Sequence, residues 1–243
     1  MPGFLADPAD IGDGRLCLRG DEAHHLAKVR RYKAGDEIEV VDGQGMFYRV
    51  RLIRLEPKEA LGEIIESRCG HGESPITLNL APALIKGQRF DFIIEKATEI
   101  GVVAIFPLIT ERGIVRPGSE HKPDRWRRLA RAATKQCGRS RIPHLAAPDG
   151  VAATVAALSQ DGLVLLATPN APKHALNEAM TATARTRVGL LIGPEGGFST
   201  VEQNAAQAAG AVLFGWGERV LRADTASIVL TALVLYEAER QWL

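Results

Sequence analysis

Beyond Pro75, short apolar segments alternate with amphipathic stretches, and this alternation constrains the fold more than any other feature of the chain. The apolar segments, each of strand length, are Ile76–Leu84, Val102–Ile109, Leu163–Thr168, Val188–Ile192 and Ala211–Gly215. Between them, Gln88–Ile100 and Pro123–Cys137 repeat apolar side chains with the period of a helix. Strands that alternate with helices are typical of an α/β domain on a mainly parallel sheet, so we predict that architecture.

The residues before Pro75 have a different pattern. Asp36–Val41 and Met46–Leu55 predict two strands around a glycine-containing turn, and Glu22–Arg31 predicts one short helix with Asp21 as its N-cap. Short strands around tight turns favour a small β-barrel. Glycine and proline cluster at residues 70–75, where the periodicity stops. We therefore predict a first domain over residues 1–72 and a second domain over residues 73–243.

Composition excludes several classes of protein. Hydrophobic residues make up 46% and charged residues 24%, the balance of an ordinary globular protein. Three cysteines without CxxC spacing indicate reduced thiols, and with them a cytoplasmic location. The longest apolar run, Ile228–Leu235, is far shorter than the roughly 20 residues that cross a membrane. We therefore expect no membrane partner. Because no His or Cys cluster has metal-ligand spacing, we also expect no metal.

Basic residues concentrate in one segment, although the formal net charge is only +1. They are Arg112, Arg116, Lys122, Arg125, Arg127, Arg128, Arg131, Lys135, Arg139 and Arg141, opposed there only by Glu120 and Asp124. Several of them share one face of the predicted helix at 123–137, opposite an apolar stripe that ends at Cys137. Such a face suits the phosphate backbone of a nucleic acid. An ordinary solvated helix face explains the same pattern, and both interpretations stay open.

Glycine-rich loops follow the last two predicted strands. Residues 193–197 are Gly-Pro-Glu-Gly-Gly, and Ser199 with Glu202 forms a capping box for the next helix. The second loop, residues 215–226, leads into the final helix, which Asp224 or Thr225 can cap. Glycines at the carboxyl end of a strand allow a ligand to approach the backbone. A tight structural turn is the alternative for the first loop, and a structural ion pair is the alternative for Arg222.

Several motifs, in their order along the chain, resemble those of the RsmE family, the 16S rRNA uridine-N3 methyltransferases of the SPOUT superfamily. The resemblance covers nearly the whole chain. Its motifs are His24–Leu26 with Arg30, Gly35–Asp36, Lys86–Gly87, Lys96–Gly101, Glu111–Arg112, Gln136 with Arg139, Gly193–Ser199 and Arg219–Arg222. The chain departs from the usual family pattern at Trp216, Ala223 and Asp224, the last of which keeps a carboxylate one methylene shorter.

The resemblance implies a C-terminal α/β trefoil-knot methyltransferase domain, an N-terminal PUA-like β-barrel, and a homodimer formed through the C-terminal domain. It implies S-adenosylmethionine as cofactor and 16S rRNA of the small ribosomal subunit as partner. The implied cofactor-binding residues are Thr168, Gly193, Glu195, Gly196, Gly197, Gly215, Trp216, Gly217, Leu221 and Thr225. The implied RNA contacts are Arg30, Arg112, Arg128, Arg131 and Arg139. Arg222 is the expected catalytic residue, and Glu195 and Asp224 are candidate proton acceptors.

Three alternative functions fit the pattern less well. A SPOUT enzyme that methylates the 2′-oxygen of ribose differs only in its target, and the family resemblance alone favours uridine N3. A non-catalytic RNA-binding assembly factor needs the basic face but no glycine loops. A dinucleotide-dependent oxidoreductase needs GxGxxG after the first strand of its domain, and residues 84–87 contain nothing similar.

Overall fold

The computed structural model describes residues 3–115, 123–160, 162–169, 171–172, 175–182 and 186–242. Arg116, Glu120 and Lys122 of the basic segment lie outside the described residues. The chain divides into two compact units. Unit 1 comprises Met1–Ser74 with Arg131–Ile142, and unit 2 comprises Pro75–Ala130 with Pro143–Leu243. Unit 1 thus includes residues 131–142, which the predicted domain boundary after residue 72 assigns to the second domain.

Unit 1 is built on a six-stranded sheet in the order β1-β4-β5-β6-β3-β2. Its strands are β1 (Phe4–Leu5), β2 (Ile11–Gly12), β3 (Arg15–Arg19), β4 (Glu37–Val41), β5 (Met46–Leu55) and β6 (Glu59–Cys69). β1 runs parallel to β4, and the other neighbours are antiparallel. The sheet curls into a half-barrel with β1 and β2 at its edges, so the predicted small barrel is open rather than closed.

Alternating side chains of the central strands form the core of unit 1. Ile38 and Val40 of β4 and Val50 and Leu52 of β5 are buried. Each such side chain contributes about 1.5–3 kcal/mol when it leaves water. Gly62 of β6 lies so close to this layer that a Cβ there would be 2.2 Å from Val50 Cγ1, so only glycine fits. The prediction for β5 is confirmed residue for residue.

The predicted helix over residues 22–31 is wrong in detail. An α-helical turn, α1 (Asp21–His24), continues as a π-helix over His25–Arg30. Gly20, at φ +57°, occupies the N-cap position without a side-chain hydrogen bond, and Asp21 lies inside the first turn. Glycine adopts this positive φ without steric cost, which explains why a glycine stands at this position.

Unit 2 contains a parallel sheet in the order β10-β8-β7-β13-β12-β14, which confirms the predicted α/β architecture. Its strands are β7 (Thr77–Pro82), β8 (Ala104–Ile105), β10 (His144–Leu145), β12 (Leu163–Ala167), β13 (Arg187–Ile192) and β14 (Val212–Phe214). A separate parallel pair joins β9 (Leu108–Ile109) to β11 (Asp149–Gly150). The apolar segment Val102–Ile109 therefore gives two short strands, because Pro107 has no N–H for the ladder.

Six helices complete the described secondary structure beyond residue 75: α2 (Gln88–Ile100), α3 (Pro123–Cys137), α4 (Val151–Ser159), α5 (Ala175–Ala182), α6 (Thr200–Ala208) and α7 (Ala223–Trp242). The bounds of α2 and α3 are those predicted. The apolar face of α2, which includes Ile93 and Ala97, is buried as predicted. Cys137, where the predicted apolar stripe of α3 ends, is exposed rather than buried, and its thiol donates to the Thr134 carbonyl.

The final helix is less buried than its composition suggests. Ser227, Leu230, Thr231, Val234 and Ala238 form its buried face. The opposite side is partly or fully exposed at Ile228, Val229, Ala232, Leu233 and Tyr236. The helix begins at Ala223, so Asp224 and Thr225 lie in its first turn and do not cap it as predicted. No described helix combines the length and the apolar character that a bilayer crossing requires.

Candidate cofactor site at the carboxyl edge of the sheet

Three adjacent strands bring the predicted loops together. In the order β13-β12-β14 the strands run parallel, so their carboxyl ends meet at one edge of the sheet. The loop after β13 carries residues 193–198, and the loop after β14 carries residues 215–222. Thr168 follows β12 between them, and its backbone N–H donates to the Phe214 carbonyl at 2.9 Å. Ligands of open α/β sheets bind at this edge.

The loop after β13 is a tight glycine turn. Gly197 adopts φ +66°, and its N–H donates to the Pro194 carbonyl at 2.8 Å. Gly193 packs against the buried ring of Phe198, at 3.2 Å from the position that a Cβ would take. The predicted capping box is confirmed: the Ser199 hydroxyl accepts from the Glu202 N–H, and the Glu202 carboxylate accepts from the Ser199 N–H.

The loop after β14 depends on glycine for a different reason. A Cβ on Gly215 would lie 2.0 Å from the Ala171 carbonyl oxygen, so the chain passes too close for any side chain. Its N–H donates to the Pro172 carbonyl at 3.2 Å. Gly217 adopts φ +112°, a conformation that other residues rarely take. These contacts hold the loop beside the end of β12.

A cavity lies where these loops meet the start of α7. The lining comprises Ala167, Thr168, Pro169, Ile192, Gly193, Pro194, Glu195, Gly197, Phe214, Trp216, Arg219, Val220, Leu221, Ala223, Ala226 and Leu230. The walls are mainly apolar, and Gly193 and Gly197 are among the lining residues. Such a site suits a small ligand that has both apolar and polar groups.

Six of the ten predicted cofactor residues line the cavity, and the other four are not part of its lining. Thr168, Gly193, Glu195, Gly197, Trp216 and Leu221 line the cavity. Gly196, Gly215, Gly217 and Thr225 do not, and Gly196 instead faces the Arg112 side chain. Sequence reasoning missed Pro169, Phe214 and Leu230. Their positions at strand ends and on α7 carry no local motif that could have identified them. Arg219 also lines the cavity, and the family motif Arg219–Arg222 that it begins could have pointed to it.

Charged groups surround the loop after β13. Arg89 Nη1 donates to Glu195 Oε1 at 2.5 Å, and Arg112 Nη1 donates to the Gly196 carbonyl at 2.9 Å. The Arg222 side chain is exposed next to Leu221, which lines the cavity. Asp224 Oδ1 accepts from the Thr225 N–H at 2.9 Å. Within the described ranges, no group of three His, Cys, Asp or Glu side chains is placed to hold a metal ion.

The predicted RNA contacts fall into two groups. Arg30, Arg112, Arg128 and Arg131 are exposed, Arg30 and Arg131 in unit 1 and Arg112 and Arg128 in unit 2. Arg139 is only 2% exposed, and its guanidinium pairs with the Glu73 carboxylate, with Nη2 and Oε2 2.7 Å apart. This buried pair closes residues 131–142 onto the rest of unit 1. Phosphate cannot reach Arg139 in this structure, which corrects the prediction of an RNA contact there.

The family of RNA methyltransferase domains matches residues 72–235, and the family of RNA methyltransferase PUA domains matches residues 18–65. Ribosomal RNA small subunit methyltransferase E of Synechocystis is 33% identical over 233 residues, covering 95% of this chain and 76% of the relative. The protein of the same name from Bacillus subtilis is 25% identical, covering 91% and 90%. The crystal structure of that enzyme from Neisseria gonorrhoeae, bound to S-adenosylmethionine, has a TM-score of 0.84 at 29% identity and covers 97% of each chain.

The parallel sheet, its edge cavity and these matches define the chain as an RNA methyltransferase. The predicted fold class is confirmed: an α/β domain of the SPOUT type with an N-terminal PUA domain. More narrowly, the chain belongs to the ribosomal RNA small subunit methyltransferase E family.

Proposed function

We propose that this chain transfers a methyl group from S-adenosylmethionine to N3 of a uridine in 16S rRNA. The observation that carries the proposal is the cavity formed by the three loops at the carboxyl edge of the sheet. Family members from Neisseria gonorrhoeae and Synechocystis share this chain's fold or sequence over most of its length, and the former is solved with S-adenosylmethionine. Action on rRNA of the small subunit also implies a cytoplasmic location.

The lining of the cavity fits the cofactor in chemical character. Gly193 and Gly197 line the cavity, so polar groups of a ligand can approach main-chain atoms without a side chain between them. Phe214, Leu221 and Leu230 supply apolar walls for a heteroaromatic ring. When bound, S-adenosylmethionine supplies the methyl group from its sulfonium centre, and the chain's own residues orient it.

Uridine N3 carries a weakly acidic proton, which leaves as the new N–C bond forms. We assign Arg222 to the base, where its guanidinium stabilises the negative charge that develops on the carbonyl oxygens of uracil. Its exposed position beside the cavity suits contact with a nucleotide that has left its stack. The two candidate proton acceptors are Glu195, whose carboxylate pairs with Arg89, and Asp224, whose Oδ1 accepts from the Thr225 N–H.

Nucleoside mass spectrometry tests the reaction directly. Purified protein is incubated with methyl-labelled S-adenosylmethionine and small ribosomal subunits from a strain that lacks the protein. We expect labelled N3-methyluridine in the digested 16S rRNA. A labelled 2′-O-methylnucleoside would support the ribose methyltransferase alternative instead. Bound subunits without any label would support the non-catalytic assembly factor.

We further propose that unit 1, through the PUA-like domain predicted over residues 1–72, and the exposed arginines of α3 both contact rRNA phosphates. The double change Arg128→Ala with Arg131→Ala should lower the slope of log affinity against log salt by about 1 for each contacting arginine. Filter binding over a salt series measures this slope. Arg187→Ala is the matched control, because this exposed arginine starts β13 and lies outside both unit 1 and α3. A slope equal to the parent's would make the α3 face an ordinary solvated surface.

A homodimer through the C-terminal domain is the second part of the proposal. Tyr236 is 66% exposed and Val220 is 73% exposed. Leu233, which lies on the same face of α7 as Tyr236, is only partly buried. An exposed apolar strip of this kind favours self-association. Trp216 and Arg219 lie at this surface and also line the cofactor cavity, so a second copy would border the site.

Light scattering at micromolar concentration should give twice the mass of one chain for the wild type. The Tyr236→Glu variant should be shifted toward the monomer, because a buried carboxylate without a partner opposes association. Val201→Glu is the control, since Val201 is equally exposed but lies on α6. A wild-type monomer that still methylates RNA would contradict the dimer.

A further inference from the structure

Two arginines outside the cavity hold the glycine loop that borders it. Arg112 Nη1 donates to the Gly196 carbonyl at 2.9 Å, and Arg89 Nη1 donates to Glu195 Oε1 at 2.5 Å. Neither arginine lines the cavity itself. The Arg89–Glu195 pair is exposed on both sides, and such surface ion pairs contribute little. The contact of Arg112 with the backbone is therefore the stronger candidate for fixing the loop.

The contact between Arg112 and Gly196 involves packing as well as a hydrogen bond. A Cβ on Gly196 would lie 3.3 Å from Arg112 Cβ and 3.6 Å from Arg112 Cδ. The aliphatic part of the arginine thus lies against the glycine while its charged end reaches the carbonyl oxygen. A charged donor makes a stronger hydrogen bond than a neutral one. The absence of a side chain at Gly196 is what allows this approach.

The segment that carries Arg112 is itself anchored to the other end of the same loop. The Glu111 N–H donates to Glu202 Oε1 at 2.8 Å. The second oxygen of that carboxylate accepts from the Ser199 N–H, also at 2.8 Å. Glu202 thereby joins the segment after β9 to the start of α6. Together with the Arg112 contact, this forms a closed ring of interactions around residues 196–202.

We infer that Arg112 is a positioning residue that sets the shape of the 193–197 loop before the cofactor arrives. The inference rests on the proposed function, because it concerns the cofactor of that same site. A loop that is already ordered loses less conformational freedom on binding, and affinity rises accordingly. Arg112 therefore acts on cofactor affinity even without RNA, a role distinct from the phosphate contact that the sequence suggested for it.

Calorimetry with S-adenosylmethionine in the absence of RNA tests this role. Arg112→Met keeps the aliphatic contact with Gly196 but removes the donor, and it should weaken cofactor binding by about five- to tenfold. Arg112→Lys restores a charged donor and should recover part of the loss. Arg187→Met is the matched control: it removes an exposed arginine at the start of β13, at the opposite edge of the sheet from the cavity, and should leave cofactor affinity at the wild-type value.

The outcomes separate the inference from the proposed function. If the wild type does not bind S-adenosylmethionine, the proposed function itself fails. If the wild type binds it and Arg112→Met binds it equally well, the inference alone is overturned, and a loss of RNA affinity in that variant would make Arg112 a simple phosphate contact. Because Arg112 is exposed, an unchanged melting temperature should accompany the weaker cofactor binding.

Discussion

Arg222→Ala is expected to lower kcat for methyl transfer by about 10²–10³-fold, while affinity for S-adenosylmethionine stays near the wild-type value. Arg222 precedes α7 and is exposed beside Leu221, so it is placed to meet the base rather than to form the cavity wall. Its charge acts mainly where negative charge develops on the uracil oxygens. Single-turnover kinetics on rRNA and calorimetry with the cofactor measure the two quantities separately.

Two further variants make this result specific. Arg222→Lys keeps the charge but loses the planar fork, so kcat should recover only in part. Arg187→Ala removes an exposed arginine at the start of β13, at the opposite edge of the sheet from the cavity, and kcat should be unchanged. If Arg222→Ala turns over at the wild-type rate, the residue has a structural role and the chemistry depends on another group.

Gly193→Val should weaken binding of S-adenosylmethionine by about 10- to 100-fold, the cost of forcing extra methyl groups into a packed site. A Cβ at this position would already lie 3.2 Å from the ring of Phe198. The methyl groups of valine would press further against this buried ring and displace the loop that lines the cavity. Calorimetry measures the affinity, and far-ultraviolet circular dichroism checks that the fold is retained.

Gly150→Val is the matched control for this loss. Gly150 precedes α4 at φ −74°, a conformation that any residue adopts, and no atom lies within 4 Å of the position of its Cβ. The same chemical change should therefore leave cofactor affinity unaltered. Equal affinities for Gly193→Val and the wild type would place the cofactor outside the cavity.

Much of the local structure was predictable from the sequence because its causes are local. The apolar face of α2 repeats with the period of the helix, and its predicted bounds are those of the structure. The Ser199–Glu202 capping box needs only two residues three positions apart. Where a competing local effect was overlooked, the prediction was wrong: Pro107 splits one predicted strand into two, and Gly20 replaces Asp21 as the N-cap.

The candidate site was predictable only in part. Glycines at the ends of two strands pointed to Gly193, Gly197 and Leu221, which line the cavity. Leu230 is an apolar helical residue like its neighbours, and nothing in its local sequence marks it as part of a cavity wall. Arg139 is the opposite case, because its basic neighbourhood suggested RNA whereas its partner, Glu73, lies 66 residues earlier.

The sequence by itself thus determined the alternation of strands and helices, the two glycine loops and the family pattern, since each is encoded by residues that are close in the chain. Only the tertiary structure decided that β12 lies between β13 and β14, so that three loops enclose one cavity. It also decided that Arg112 contacts Gly196, 84 residues away, rather than serving only as surface charge. The physical reason is that strand order, burial and ion pairing depend on neighbours that the folded chain brings together from distant positions.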